Sequence, residues 1–219
     1  MAEPKPSSQF HLLSERRFGP FFLTQTLGAF NDNVYKNALV IFVTFVVGGL
    51  SQSEIDLYVN LAGGLFILPY FLFSATSGQI AEKFEKSRLI RFTKVLEIAI
   101  MAMAVVAFWL KSVPLLMGLL FLLGTQATLF GPVKYSILPQ ALREEELIGG
   151  NAMVEAATFL AILLGTLLGG YLVARTGGPM WVGAIALAIA VAGYLVSRAI
   201  PAAPATAPNL VIDWNPVTE

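Results

Sequence analysis

Residues 29–39, which read Ala-Phe-Asn-Asp-Asn-Val-Tyr-Lys-Asn-Ala-Leu, put five strongly polar side chains into the middle of an otherwise apolar stretch. That stretch runs from about residue 18 to 47, long enough to cross a bilayer, which takes roughly 20 residues rising 1.5 Å each. Asp32 and Lys36 are four apart, so a helix stacks them on one face as an acid followed by a base. Asn33 and Asn37 flank them one position on. A charge at bilayer depth costs about 2.5 to 3.5 kcal/mol on insertion scales unless it finds a partner or water. Such a cluster therefore marks a site, or else a buried ion pair that locks two helices together.

Composition places the whole chain in the same setting. Of 219 residues, 56% are hydrophobic and 13% charged, against about 25% charged in soluble domains, so the chain is a membrane protein. Its nineteen glycines fit helices that approach one another closely. No cysteine is present, which excludes disulfides, a thiol nucleophile and cysteine-ligated metals. Formal net charge is zero, which argues against nucleic acid as a partner. The single histidine, His11, lies in the polar N-terminal tail, away from any set that could bind zinc or act as a general base. Neither a Ser/His/Asp set nor a phosphate-cradling glycine loop occurs, so no catalysis and no cofactor are expected within this chain.

Six apolar segments follow one another, at about 18–47, 57–81, 89–110, 114–138, 148–174 and 179–200. Residues 1–17 read as a polar tail, 18–200 as a six-helix transmembrane bundle and 201–219 as a Pro/Ala-rich linker. The tail is not a signal peptide, because the apolar run after it is far longer than an h-region. Pro132 is expected to bend the fourth segment near its end. Gly165 and Gly169 form a GxxxG face for close helix packing.

An even number of crossings puts both termini on one side. Lys5, Arg16, Arg17, Lys83, Lys86, Arg88, Arg91, Lys94, Arg143 and Arg198 lie on or near it, against Lys111 and Arg175 opposite. Ten against two makes that side cytoplasmic. A short internal echo, Val34-Tyr35-Lys36-Asn37-Ala38-Leu39 with Val133-Lys134-Tyr135-Ser136-Ile137-Leu138, points to a 3+3 inverted repeat. On this topology Asp32 and Lys36 sit near mid-membrane, while Lys134, Glu155 and Glu97 fall nearer the cytoplasmic boundary. Lys134 with Glu155, supplemented by Glu82, is expected to form a charge network that can be made and broken. The plainer reading has Lys134 snorkelling to the headgroups and Glu155 serving as an acid near a helix start.

Residues Gly78-Gln79-Ile80-Ala81-Glu82-Lys83-Phe84-Glu85-Lys86-Ser87-Arg88 resemble the signature loop of the major facilitator superfamily: a glycine, an acid four residues on, then bases. The sequence departs from it at Glu85, where a glycine is usual. Three further stretches resemble the bacterial lysophospholipid transporter branch of that superfamily and the transporter domain fused to a phospholipid acyltransferase and an acyl-acyl carrier protein synthetase. They are Ala29-Phe30-Asn31-Asp32-Asn33, Gly131-Pro132-Val133-Lys134-Tyr135-Ser136-Ile137-Leu138, and Asn151-Ala152-Met153-Val154-Glu155-Ala156-Ala157-Thr158 with the run to Gly170.

The resemblance covers roughly residues 18–219 and half of a twelve-crossing transporter. It implies an all-α N-terminal half that works with a second six-helix half in the bacterial inner membrane. The implied activity is a flippase-like movement of lysophospholipids, chiefly lysophosphatidylethanolamine, toward re-acylation, with an acyltransferase domain as a partner. Asp32 then matches the family's acid on the first helix, with Asn33, Tyr35 and Lys36 beside it in binding or gating. Glu82, Lys83, Arg88, Glu97, Lys134, Tyr135 and Glu155 fall to a conformational charge network, and Gly78, Gly165 and Gly169 to helix packing. A proton-coupled carrier of a small solute, with Asp32 as the proton site, and a non-transporting anchor for an acyltransferase are the alternatives.

Overall fold

The computed structural model describes residues 9–214. Lys5 and the rest of residues 1–8 of the tail, and residues 215–219 of the linker, lie outside the described residues. A 3-10 turn, Gln9–Ser14, precedes six helices: α1 Gly19–Ile41, α2 Gln52–Lys83, α3 Lys86–Trp109, α4 Val113–Ala141, α5 Leu147–Val173 and α6 Gly178–Ser197. Four of them, α2, α4, α5 and α6, are long and apolar enough to cross a membrane. The other two, α1 and α3, bring Asp32, Lys36, Lys94 and Glu97 into the bundle.

The starts and stops follow local chemistry. Pro20 opens α1, and Pro114 and Pro179 open α4 and α6, where a missing N–H costs nothing. Past Ile41 the first segment widens into a π-helical turn, Phe42–Val46, and reverses at Gly48 and Gly49, both at positive φ. Helix α2 begins in the acidic connection, because Ser51 and Glu54 form a reciprocal capping box. Helix α4 continues through Pro132 and Pro139 to Ala141.

The principal helix neighbours are α1 with α5 and α6, α2 with α4, and α3 with α6 and α4. Exchanging the first three helices for the last three leaves this set unchanged. Gly165 and Gly169 explain the closest approach: a Cβ on either would land on the backbone carbonyls of Phe30 and Val34 in α1. Gly78 differs. Among the described residues nothing lies within 4 Å of where its Cβ would be, so no close helix approach there requires glycine. One apolar core surrounds Tyr35, Phe42 and Phe108, stacked edge to face at 5.6 and 5.9 Å. A second, at the other end, gathers Leu12, Phe18, Phe21, Ile90, Leu138 and Ile200.

Residues 201–214 are non-helical and dock on the α2–α3 connection. Ala203 is buried, its carbonyl accepts from the Lys86 N–H at 2.9 Å, and the buried Lys86 ammonium donates to Pro204 O and Thr206 Oγ1. Glu85, at the position where the signature favours glycine, caps α3 by accepting from the Ser87 and Arg88 amides, and it also accepts from the Ala203 N–H at 2.7 Å. Its backbone is extended, φ −66°, so no glycine is needed there. Burial pushes the Glu85 carboxyl up, but these backbone donors outweigh it and hold it below its ordinary range. A depressed carboxylate stabilises above its unfolded pKa and loses that contribution as pH falls through its folded one. Glu85→Ala is expected to raise amide exchange across residues 201–207 by about tenfold at neutral pH, as lost charge-assisted bonds imply. The difference from the parent should shrink on acidification; hydrogen exchange read by mass spectrometry checks both.

Candidate substrate cavity

A cavity of about 370 Å³ opens between α1, α2, α4 and α5, with α3 behind it. From α1 come Gln25, Asp32 and Lys36, seven and four residues apart along one face, with Asn33 next to Asp32; α4 supplies Lys134 and Tyr135, α5 Thr158, and α3 Lys94. Phe66, Tyr70 and Phe130 form the aromatic wall. The volume sits in the lower part of the range for ligand pockets.

Asp32 is the least satisfied member. Its Oδ1 is buried with no hydrogen-bond partner, and the charges acting on it are Glu97, Lys94 and Lys36. No Asp32–Lys36 ion pair forms among the described residues. The Lys36 ammonium instead lies over the Phe66 ring, 5.2 Å from its centre. Helical spacing sets the two on one face, and the aromatic side chain of α2 decides where the cation goes. Asn33 donates to the Ala29 carbonyl at 2.8 Å, and Asn37 ties α1 to α5 through Thr166 at 3.0 Å.

On the opposite wall Lys134 Nζ lies 3.1 Å from Glu155 Oε1 and 3.3 Å from Thr158 Oγ1, while the Tyr135 hydroxyl donates to the same Glu155 oxygen at 3.0 Å. Thr158 also donates to Gln25, so the cluster spans α4, α5 and α1. Glu82 is not part of it. That residue lies in the last turn of α2, where its carbonyl accepts from Thr206 and Ala207, and it makes no ion pair among the described residues. Lys83 and Arg88 are likewise outside the cavity, Lys83 near the Phe84 ring and Arg88 exposed beside Glu85 at 3.6 Å. Tyr35 is also away from it: fully buried on another side of α1, it donates to the Leu116 carbonyl at 2.8 Å.

Glu97 does not join the Lys134 network. Its partner is Lys94, three residues earlier on α3, at 2.6 Å with both side chains almost wholly buried, and its other oxygen accepts from Asn31 at 2.8 Å. Lys94 is therefore inside the bundle rather than among the flanking bases. The i,i+3 spacing of Lys94 and Glu97 is compatible with a pair, but beside Arg88 and Arg91 it does not by itself separate Lys94 from the flanking bases. Gln25, Gly28 and Thr158, which also line the cavity, carry no comparable signal. Among the described residues no three His, Cys, Asp or Glu side chains could hold a metal.

The sequence profile of the Major Facilitator Superfamily matches residues 21–214. The chain belongs to that superfamily. Within it the chain is 28% identical over 208 residues to the lysophospholipid transporter LplT of Pectobacterium carotovorum, a stretch covering 94% of this chain and 46% of the relative. It is 31% identical over 195 residues to LplT of Escherichia coli O1:K1, covering 88% and 45%. For LplT of Citrobacter koseri the identity is 30% over 174 residues, covering 80% and 40%. The chain thus spans less than half the length of the curated relatives it matches. Glu85 in the α2–α3 loop serves as a helix cap and ties residue 203 to that loop.

Proposed function

We propose that this chain is the N-terminal six-crossing half of a lysophospholipid transporter of the bacterial inner membrane, with both ends cytoplasmic. Its 3+3 repeat is supported by the helix neighbours that survive exchange of α1–α3 with α4–α6. It works by alternating access against a second six-helix half, the cavity lying between them. Lysophosphatidylethanolamine is its main substrate, delivered for re-acylation by an acyltransferase.

The observation that carries this reading is the composition of one cavity. A carboxylate with an unpartnered buried oxygen shares it with ammonium groups and an aromatic wall. A zwitterionic headgroup needs the first two together, and an acyl chain needs the third. The LplT relatives agree with it. Asp32 binds the headgroup's amine, and the Lys134–Glu155–Tyr135 cluster rearranges as the halves rock.

Uptake of labelled lysophosphatidylethanolamine into spheroplasts tests it. The parent should accumulate label, and Asp32→Asn, at equal membrane abundance, should lose at least about tenfold of that rate, the equivalent of one charge-assisted bond. Equal rates would remove Asp32 from the mechanism. The unpaired Asp32 oxygen also favours a second reading, a proton-coupled carrier of a small solute. In that case lysophospholipid uptake would be absent from the parent, and uptake of the true solute would collapse with the proton gradient.

A further inference from the structure

Lys94 reaches the cavity by a route the sequence keeps clear. A Cβ at Gly28 on α1 would lie 2.5 Å from its Nζ, too close to fit, while one at Gly193 on α6 would meet it at an ordinary contact distance of 3.7 Å. The side chain is 2% exposed, yet it lines the cavity that Asp32 also lines. Its ammonium has three donors. One goes to Glu97 Oε2 at 2.6 Å, and no other acceptor among the described residues takes the remaining two. Glu97 is itself held in place, because its Oε1 accepts from Asn31. A buried pair serving stability alone is expected to have its leftover donors satisfied by the protein.

Lys94 also lies over the Phe130 ring, 5.6 Å from its centre, a contact that takes up no hydrogen-bond acceptor. Lys134 is bound to Glu155 and Thr158, and Lys36 rests on Phe66. We infer that Lys94 is the phosphate ligand of the substrate cavity: its two spare N–H groups take the phosphodiester oxygens of the headgroup while Asp32 takes the amine end. Its desolvated setting makes those bonds strong. The assignment rests on the lysophospholipid reading above and adds which charge reads which part of the substrate.

The double variant Lys94→Met/Glu97→Gln removes both charges and keeps a carbonyl for the Asn31 amide, so no bare charge stays buried. The protein, reconstituted in nanodiscs, is titrated with lysophosphatidylethanolamine and with a monoacylglycerol of the same chain length, which has neither phosphate nor amine. In the variant, affinity for the lysophospholipid should fall by at least about tenfold while that for the monoacylglycerol stays within about twofold. Unchanged lysophospholipid affinity overturns the assignment. So does an equal loss for both ligands, because the cavity's shape and not its phosphate contact would then have changed. If the parent binds the two lipids equally, the lysophospholipid reading itself falls and Lys94's role falls with it; selective binding by parent and variant alike removes only Lys94.

Discussion

Glu97→Ala is expected to destabilise the bundle by about 3–5 kcal/mol, because it strands the Lys94 ammonium in the interior without a counter-ion. Lys94 and Glu97 are 2% and 1% exposed, so neither is hydrated as a surface charge would be. The loss extends to Asn31, whose amide would also give up its carboxylate acceptor, so Lys94 loses its one acceptor and Asn31 a donor's partner in the same step. Thermal unfolding in detergent, followed by tryptophan fluorescence, should show a fall of about 10 °C or more for a chain of this size. Lys94→Met/Glu97→Gln should lie much closer to the parent, since exchanging a buried pair for neutral groups of similar volume is often nearly neutral. A single variant that melts with the parent would mean that water reaches the pair.

What was legible in the sequence divides along the range of the forces involved. Hydropathy alone marks six segments within a few residues of α1–α6, since burying or exposing about twenty apolar side chains leaves little choice. The start of α2 is missed by a hydropathy reading because residues 51–56 are polar, although Ser51 and Glu54 carry the capping pattern. The Asp32–Lys36 face is also legible, but its pairing is not: the cation goes to Phe66 on another helix. Depth arguments bring Lys134 and Glu155 to one level, whereas placing Lys94 needs the glycines at 28 and 193, on helices one and six, to be seen facing it. Read with Arg88 and Arg91, Lys94 looks like one more flanking base. Helical period likewise does not separate Tyr35 from its site neighbours; the neighbouring α3 and α4 claim its ring and hydroxyl.

Gly169→Leu is the substitution expected to disturb the cavity most without touching it. A Cβ at Gly169 would collide with the Val34 carbonyl, and one at Gly165 with the Phe30 carbonyl. Backbone cannot swing aside as a side-chain tip can, so α1 and α5 must separate. Overpacking a fitted interior costs about 1–3 kcal/mol, and more where backbone is the obstacle. The separation would fall on the helices that carry Asp32 and Asn37 on one side and Glu155, Thr158 and Thr166 on the other, breaking the Asn37–Thr166 and Thr158–Gln25 bonds. Far-ultraviolet circular dichroism should stay near that of the parent, because each helix keeps its own backbone bonds. The melting temperature should drop by several degrees and, under the transport proposed above, lysophospholipid uptake should be largely lost. Gly64→Leu on α2 is the matched control: nothing lies within 4 Å of its Cβ direction, so the same added volume has room, and the higher helix propensity of leucine favours it slightly. Equal melting temperatures for Gly169→Leu and Gly64→Leu would show that α1 and α5 are not held at the contact distance that sets the cavity's width.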